Sequence, residues 1–145
     1  MLGVKTYTRE YVDSCRARVE SDLDAYRNLV AAARSHPASD KAQLESAIRA
    51  FESTLFNNLV LVLDAFFVHR LRTVEGKDGN PLNEVRVICN SLLNNRNVMT
   101  ADKSIKLSPE KSVLQYQFGE TIKLNEAAFI LIFQPFFTEI ERKFV

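Results

Sequence analysis

Between His69 and Arg86 the chain places ten ionisable or amide side chains: His69, Arg70, Arg72, Glu75, Lys77, Asp78, Asn80, Asn83, Glu84 and Arg86. A histidine among guanidinium groups is the equipment of a ribonuclease-like or other phosphate-ester-acting enzyme. His69 would serve as general acid and base, and Arg70 and Arg72 would hold the phosphate. The same corner can instead hold a small polar or anionic ligand without chemistry, because backbone N–H groups at a helix start attract negative charge. A third use is structural. The basic residues 70, 72, 77 and 86 match four acidic ones, Asp64, Glu75, Asp78 and Glu84, so ion pairs among them would set the angle between two helices. Contact with a partner protein is a fourth. The candidate ligand-binding set is His69, Arg70, Arg72, Glu75, Lys77, Asn80, Asn83 and Arg86, with no residue assigned as catalytic.

Other chemistries lack their residues. HExxH, CxxC and facing carboxylate pairs are missing, and His69 and Glu75 do not share a helical face, so no metal or cofactor is expected. The glycine pattern EGKDGNP fits neither phosphate-binding loop. Cys15 and Cys89 lie on apolar-periodic positions far apart, as buried free thiols would, away from any activating histidine.

The elements that position the cluster follow from periodicity. Thr8 is the expected N-cap of a first helix whose stripe is Val12, Cys15, Val19, Leu23, Tyr26, Val30 and Ala33, ending before Pro37. A second helix is expected from Asp40 to about Thr73, with Leu44, Ile48, Phe51, Leu55, Leu59, Val62 and Phe66 as its main stripe and Val60, Leu63, Phe67 and Leu71 as a second row. At about 1.5 Å per residue it would be ~50 Å long, so it either kinks or projects into a partner. Thr54, Asn57, Asn58, Asp64, His69 and Arg72 share one mixed arc of it. Arg70 projects to the apolar side and must snorkel or meet a carboxylate from Glu75, Asp78 or Glu84.

Asp78-Gly79 signals a turn, and Asn80-Pro81 reads as N-cap and first residue of a third helix with Leu82, Val85, Cys89 and Leu92 in its core, ending at 94–97. The connection is short, so helices two and three form an antiparallel hairpin with the polar cluster at its corner. Ile105 and Leu107 are read as a short strand. Leu114, Tyr116 and Phe118, then Ile122 and Leu124, alternate with polar residues about Gly119-Glu120, which predicts a small β-hairpin. Asn125 caps a last helix, with Leu124 and Phe129 as a hydrophobic staple and Pro135 as a bend. The phenylalanines at 129, 133, 136, 137 and 144 exceed what one core helix needs and point to an oligomer interface.

The whole is expected to be a single domain over 1–145, mainly α with a minor β component: a bundle of three to four long helices with a β-hairpin before the last. An apolar fraction of 46% and a net charge of +1 suit an ordinary globular protein and leave no electrostatic footprint for duplex DNA or an anionic membrane. Leu55–Val68 is apolar but too short for a span and carries Asn57, Asn58 and Asp64. The start MLGVKTYTREYVD lacks a signal-peptide pattern, so a cytoplasmic protein is expected.

The helical layout, with a paired Asn and an Arg- and His-rich helix end, resembles the HEPN-type helical ribonuclease domains. That family places Arg four to six residues before His. Here no Arg occupies 62–65 ahead of His69, and His36 follows Arg34 by only two. The resemblance covers helicity alone and brings no residues with it. The leading expectation is a non-enzymatic module, working as a homo-oligomer (most simply a dimer) or by binding a small anionic ligand.

Overall fold

The computed structural model describes residues 3–37 and 40–145. Four long helices, α1 (Arg9–Ser35), α2 (Lys41–Phe66), α4 (Pro81–Asn94) and α5 (Glu126–Phe144), are joined by a one-turn α3 (Arg72–Glu75) and a 3₁₀ turn at Pro109–Lys111. No described helix is long and apolar enough to cross a membrane. Local signals set the helix starts. The side chains of Thr8, Asp40, Asn80 and Asn125 accept N–H bonds from Tyr11, Gln43, Leu82 and Asn83, and Ala128 respectively. Each thereby satisfies donors that a first turn leaves open.

α2 and α5 each pack against both other long helices and together form the centre of the bundle. Their shared interior is aromatic. Phe67 meets Phe136 and Phe137 with ring centroids 5.9 Å apart, and Tyr7 meets Phe67 edge-on at 5.0 Å. Phe129, Phe133, Phe136, Phe137 and Phe144 are all buried, so the surplus of α5 phenylalanine lies inside the chain and supplies no external face. Leu124 and Phe129, the expected staple, are fully buried too. α5 continues through Pro135 as one helix.

Three expectations are corrected. α2 stops at Phe66, short of Thr73. Beyond it the chain turns at 67–69 and makes a parallel bridge to the N-terminal segment, Val4 N–H donating to the His69 carbonyl at 2.7 Å and Leu71 N–H to the Val4 carbonyl at 2.8 Å. Those bonds replace the helical ones, and a partner so distant in sequence leaves no periodic trace.

The α2 core is also rotated from its expected stripe. Ile48, Phe56, Leu59, Val60, Leu63 and Phe67 are buried, while Phe51 and Val62 are 45% and 38% exposed. The second apolar row, which faces α4 and α5, dominates the packing.

No strand forms over 114–124, nor at 105–107. Gln115 sits at φ 57°, a left-handed turn that an extended strand does not permit. The N–H groups of Val113 and Leu114 donate to the Glu84 carboxylate, both at 2.8 Å. Chain reversal at Gly119 does occur, at φ 96°, with Glu120 N–H donating to the Gln117 carbonyl across the turn, but beyond that turn bond residues 119–122 pair with 97–99 and form no ladder with 114–118. The alternation of Leu114, Tyr116 and Phe118 reflects a loop lying on the helices.

Candidate functional site

The corner between α2 and α4 is built around two buried side chains. Arg70 emerges just past the end of α2 into the bundle, and Glu75 ends α3; both side chains have no exposure at all. Arg70 Nε donates to Glu75 Oε1 at 2.5 Å, and Nη1 donates to Asp64 Oδ1 at 2.9 Å and to the Phe67 carbonyl at 3.0 Å. Nη2 donates to the Leu82 carbonyl at 3.3 Å, and the guanidinium lies 5.8 Å from the centre of the Phe136 ring. All three guanidinium nitrogens have acceptors, which is what allows an arginine to be buried.

Glu75 binds two more arginines. Arg86, from α4, donates through Nε to Oε2 and through Nη2 to Oε1, both at 3.0 Å, the paired geometry that suits a carboxylate. Arg72 Nε lies 3.3 Å from Oε2, off the hydrogen-bonding line, and is buried without an acceptor. Its Nη2 reaches Ser104 Oγ at 3.5 Å. Asp102, hydrogen-bonded to Ser104, has its carboxyl held below the usual range by the Ser104 hydroxyl and N–H, with help from Arg72 and Arg86. Three guanidiniums thus face three carboxylates, Asp64, Glu75 and Asp102.

The loop into α4 is tied down as closely. Asn80 Oδ1 accepts from the N–H groups of Leu82 and Asn83, and its Nδ2 donates to the Glu75 carbonyl and to Asp78 Oδ1. That last bond is the main cause of the lowered Asp78 pKa. Asn83, fully buried, accepts from Gly79 N–H and donates to the Gly76 carbonyl, both at 3.0 Å. Lys143 from α5 donates to the Glu75 carbonyl at 2.6 Å. The N–H groups at the start of α4, offered above as an anion cradle, are occupied by Asn80. Glu84 is buried on the opposite side of α4 from the solvent. Burial pushes its carboxyl pKa up, and the N–H bonds from Val113 and Leu114 offset part of that.

Of the eight candidate residues, Arg70, Arg72, Glu75, Asn80, Asn83 and Arg86 come together in one hydrogen-bonded network. His69 and Lys77 do not join it. Both are exposed, and among the described residues neither side chain has a hydrogen bond or ion pair. Asp64 and Lys143 are parts of the network that the candidate set lacks. Asp64 carried a signal, as the acidic residue on the mixed arc of α2, whereas Lys143 is 68 residues from its acceptor and carried none.

The remaining reactive groups are quiet. Burial raises the thiol pKa of Cys15, and that of Cys89 by much more. Both are free and buried, and no cluster of His, Cys, Asp or Glu able to hold a metal occurs among the described residues. Comparison with known protein families, with curated proteins and with solved structures finds no match to this chain.

Proposed function

We propose that this protein is a non-enzymatic helical module that works by association, as a homodimer. The observation that carries the reading is where unsatisfied surface lies. At the α2–α4 corner the charges answer one another, the helix N-terminus is capped from within, and among the described residues the His69 side chain makes no hydrogen bond or ion pair. Large apolar side chains on α1 and α2, by contrast, remain exposed, Leu29 at 60% and Phe51 at 45%. Apolar area left in water is the usual currency of protein association.

Light scattering on the full chain tests this reading. A mass near twice 16.5 kDa is expected, and one that stays at 16.5 kDa at high concentration sinks it. His69→Ala should leave both mass and melting temperature unchanged. The small-anion reading has one observation in its favour: Arg72 is 42% exposed, with its Nε lacking an acceptor. A rise in melting temperature with inorganic phosphate that Arg72→Ala abolishes would decide for that reading instead.

A further inference from the structure

The α1–α2 hairpin carries a flank that the rest of the bundle leaves uncovered. A groove of about 380 Å³ runs along it, lined by Asp22, Ala25, Tyr26, Leu29, Phe51 and Leu55, with Leu59 at its floor. Tyr11 continues the same side of α1 and is 41% exposed, and Val62 continues α2. At ~100° per residue, Tyr11, Arg18, Asp22 and Leu29 fall within about 40° of one another on α1. Over this flank the α2 side, Phe51, Leu55 and Val62, bears no charge. Charge depletion around large apolar side chains is the composition of an interface core.

The two charges on the α1 side are the informative part. α1 holds five arginines. Arg9 and Arg16 pair with Glu141, Arg27 pairs with Glu126, and Arg34 pairs with Glu45. Arg18 is the exception. Among the described residues it has no carboxylate partner and lies over the Phe66 ring at 5.2 Å. Asp22, four residues on, likewise has no ion pair. Tyr11 precedes Arg18 by seven residues and Leu29 follows Asp22 by seven, so the pattern reads the same from either end with charge inverted at its centre.

We infer that this flank is the surface on which a second copy of the chain docks, in an antiparallel two-fold arrangement centred near residue 20 of α1. A two-fold axis crossing α1 there sets Arg18 of each copy opposite Asp22 of the other, and Tyr11 of each opposite Leu29 of the other. Every contact is made twice, as an isologous interface requires. The α1 face from Tyr11 to Leu29, apolar at both ends with Arg18 and Asp22 at its centre, spans about 27 Å at ~1.5 Å rise per residue, long enough for a helix-on-helix seam. An unrelated partner would need neither the symmetry nor the inverted charges. The inference rests on the association reading above and adds to it the surface, the partner and the register.

Sedimentation velocity on the full chain across the micromolar range tests it. Leu29→Glu is expected to give a monomer. Arg18→Asp and Asp22→Arg each place like charges face to face twice and should each weaken the dimer about tenfold or more. The double variant R18D/D22R restores opposite charges and should return dissociation to near the wild-type value. All of these residues are exposed or half-buried, so each variant's circular dichroism and melting of the monomer should match wild type. Phe51→Glu is the second probe should Leu29→Glu misfold. A monomeric wild type overturns the association reading and this inference together. A dimer indifferent to Leu29→Glu and Phe51→Glu overturns the surface alone. A dimer broken by those variants but not weakened by the single reversals, or not rescued by the double one, overturns the antiparallel register.

Discussion

The α2–α4 corner and the α1–α2 flank are opposites in how they treat polarity. At the corner, charges are buried and almost every donor has an acceptor: Arg70 alone bonds Glu75, Asp64, Phe67 and Leu82. On the flank, large apolar side chains are partly exposed, and among the described residues Arg18 and Asp22 have no ion pair, Arg18 lying over the Phe66 ring. A buried ionic network contributes little net stability relative to an apolar core, but removing one member leaves the others uncompensated. The part of an apolar side chain left in water contributes nothing to the fold and gains only on contact. The corner therefore sets the geometry of this chain, and the flank is where apolar surface remains exposed.

That contrast breaks most visibly at Glu75. Glu75→Ala strands three guanidiniums, two of them largely or wholly buried, and should cost roughly 3–5 kcal/mol of unfolding free energy by urea titration. A loss under 1 kcal/mol would mean that the network is ornamental. Next comes the turn that carries the corner. Gly79 sits at φ 88°, and a Cβ there would fall 2.6 Å from the Lys106 carbonyl oxygen. Gly79→Ala should cost about 1–3 kcal/mol.

Glu84→Gln is smaller and depends on pH. The folded-state pKa of Glu84 lies above its ordinary value of 4.5, so the folded chain binds its proton more tightly than the unfolded chain does. Its contribution is greatest below pH 4.5 and declines as pH rises through the raised value. The stability of wild type minus that of the variant should fall across that window; a difference that climbs there contradicts the burial of an ionisable Glu84. The change itself should cost about 1 kcal/mol at neutral pH, since Gln can accept only one of the two N–H bonds. Least of all, Phe51→Ser, which loses a half-exposed ring stacked on Tyr26, should shift the unfolding free energy of the monomer by no more than about 1 kcal/mol. A loss comparable to that of Glu75→Ala would place Phe51 in the core and erase the contrast.

Much of the corner could be read in the residues. Arg70 on an apolar face demanded a carboxylate, and Glu75 supplies it. Asn80 and Pro81 announced the start of α4 because capping involves residues two or three apart. The flank was hidden for an instructive reason. Phe51, Leu55 and Val62 belong to a stripe that periodicity reads as core, and periodicity reports that a face is apolar without reporting what covers it. Where α2 carries two apolar rows, the neighbours choose between them. The hairpin expected over 114–124 failed similarly: Glu84, some thirty residues upstream, takes the N–H groups that a strand would have used.

The sequence by itself determined the four long helices, their caps, the two buried thiols and the need for an ion-paired Arg70. All of these depend on interactions within a few turns of chain, or on the cost of burying a charge alone. Tertiary structure decided where α2 ends, which of its rows faces inward, that residues 119–122 pair with 97–99, and that the polar corner closes on itself while the α1–α2 flank stays open. Each of those depends on groups far apart in the chain competing for the same hydrogen bond or the same apolar face, and that competition is settled only when the helices are packed.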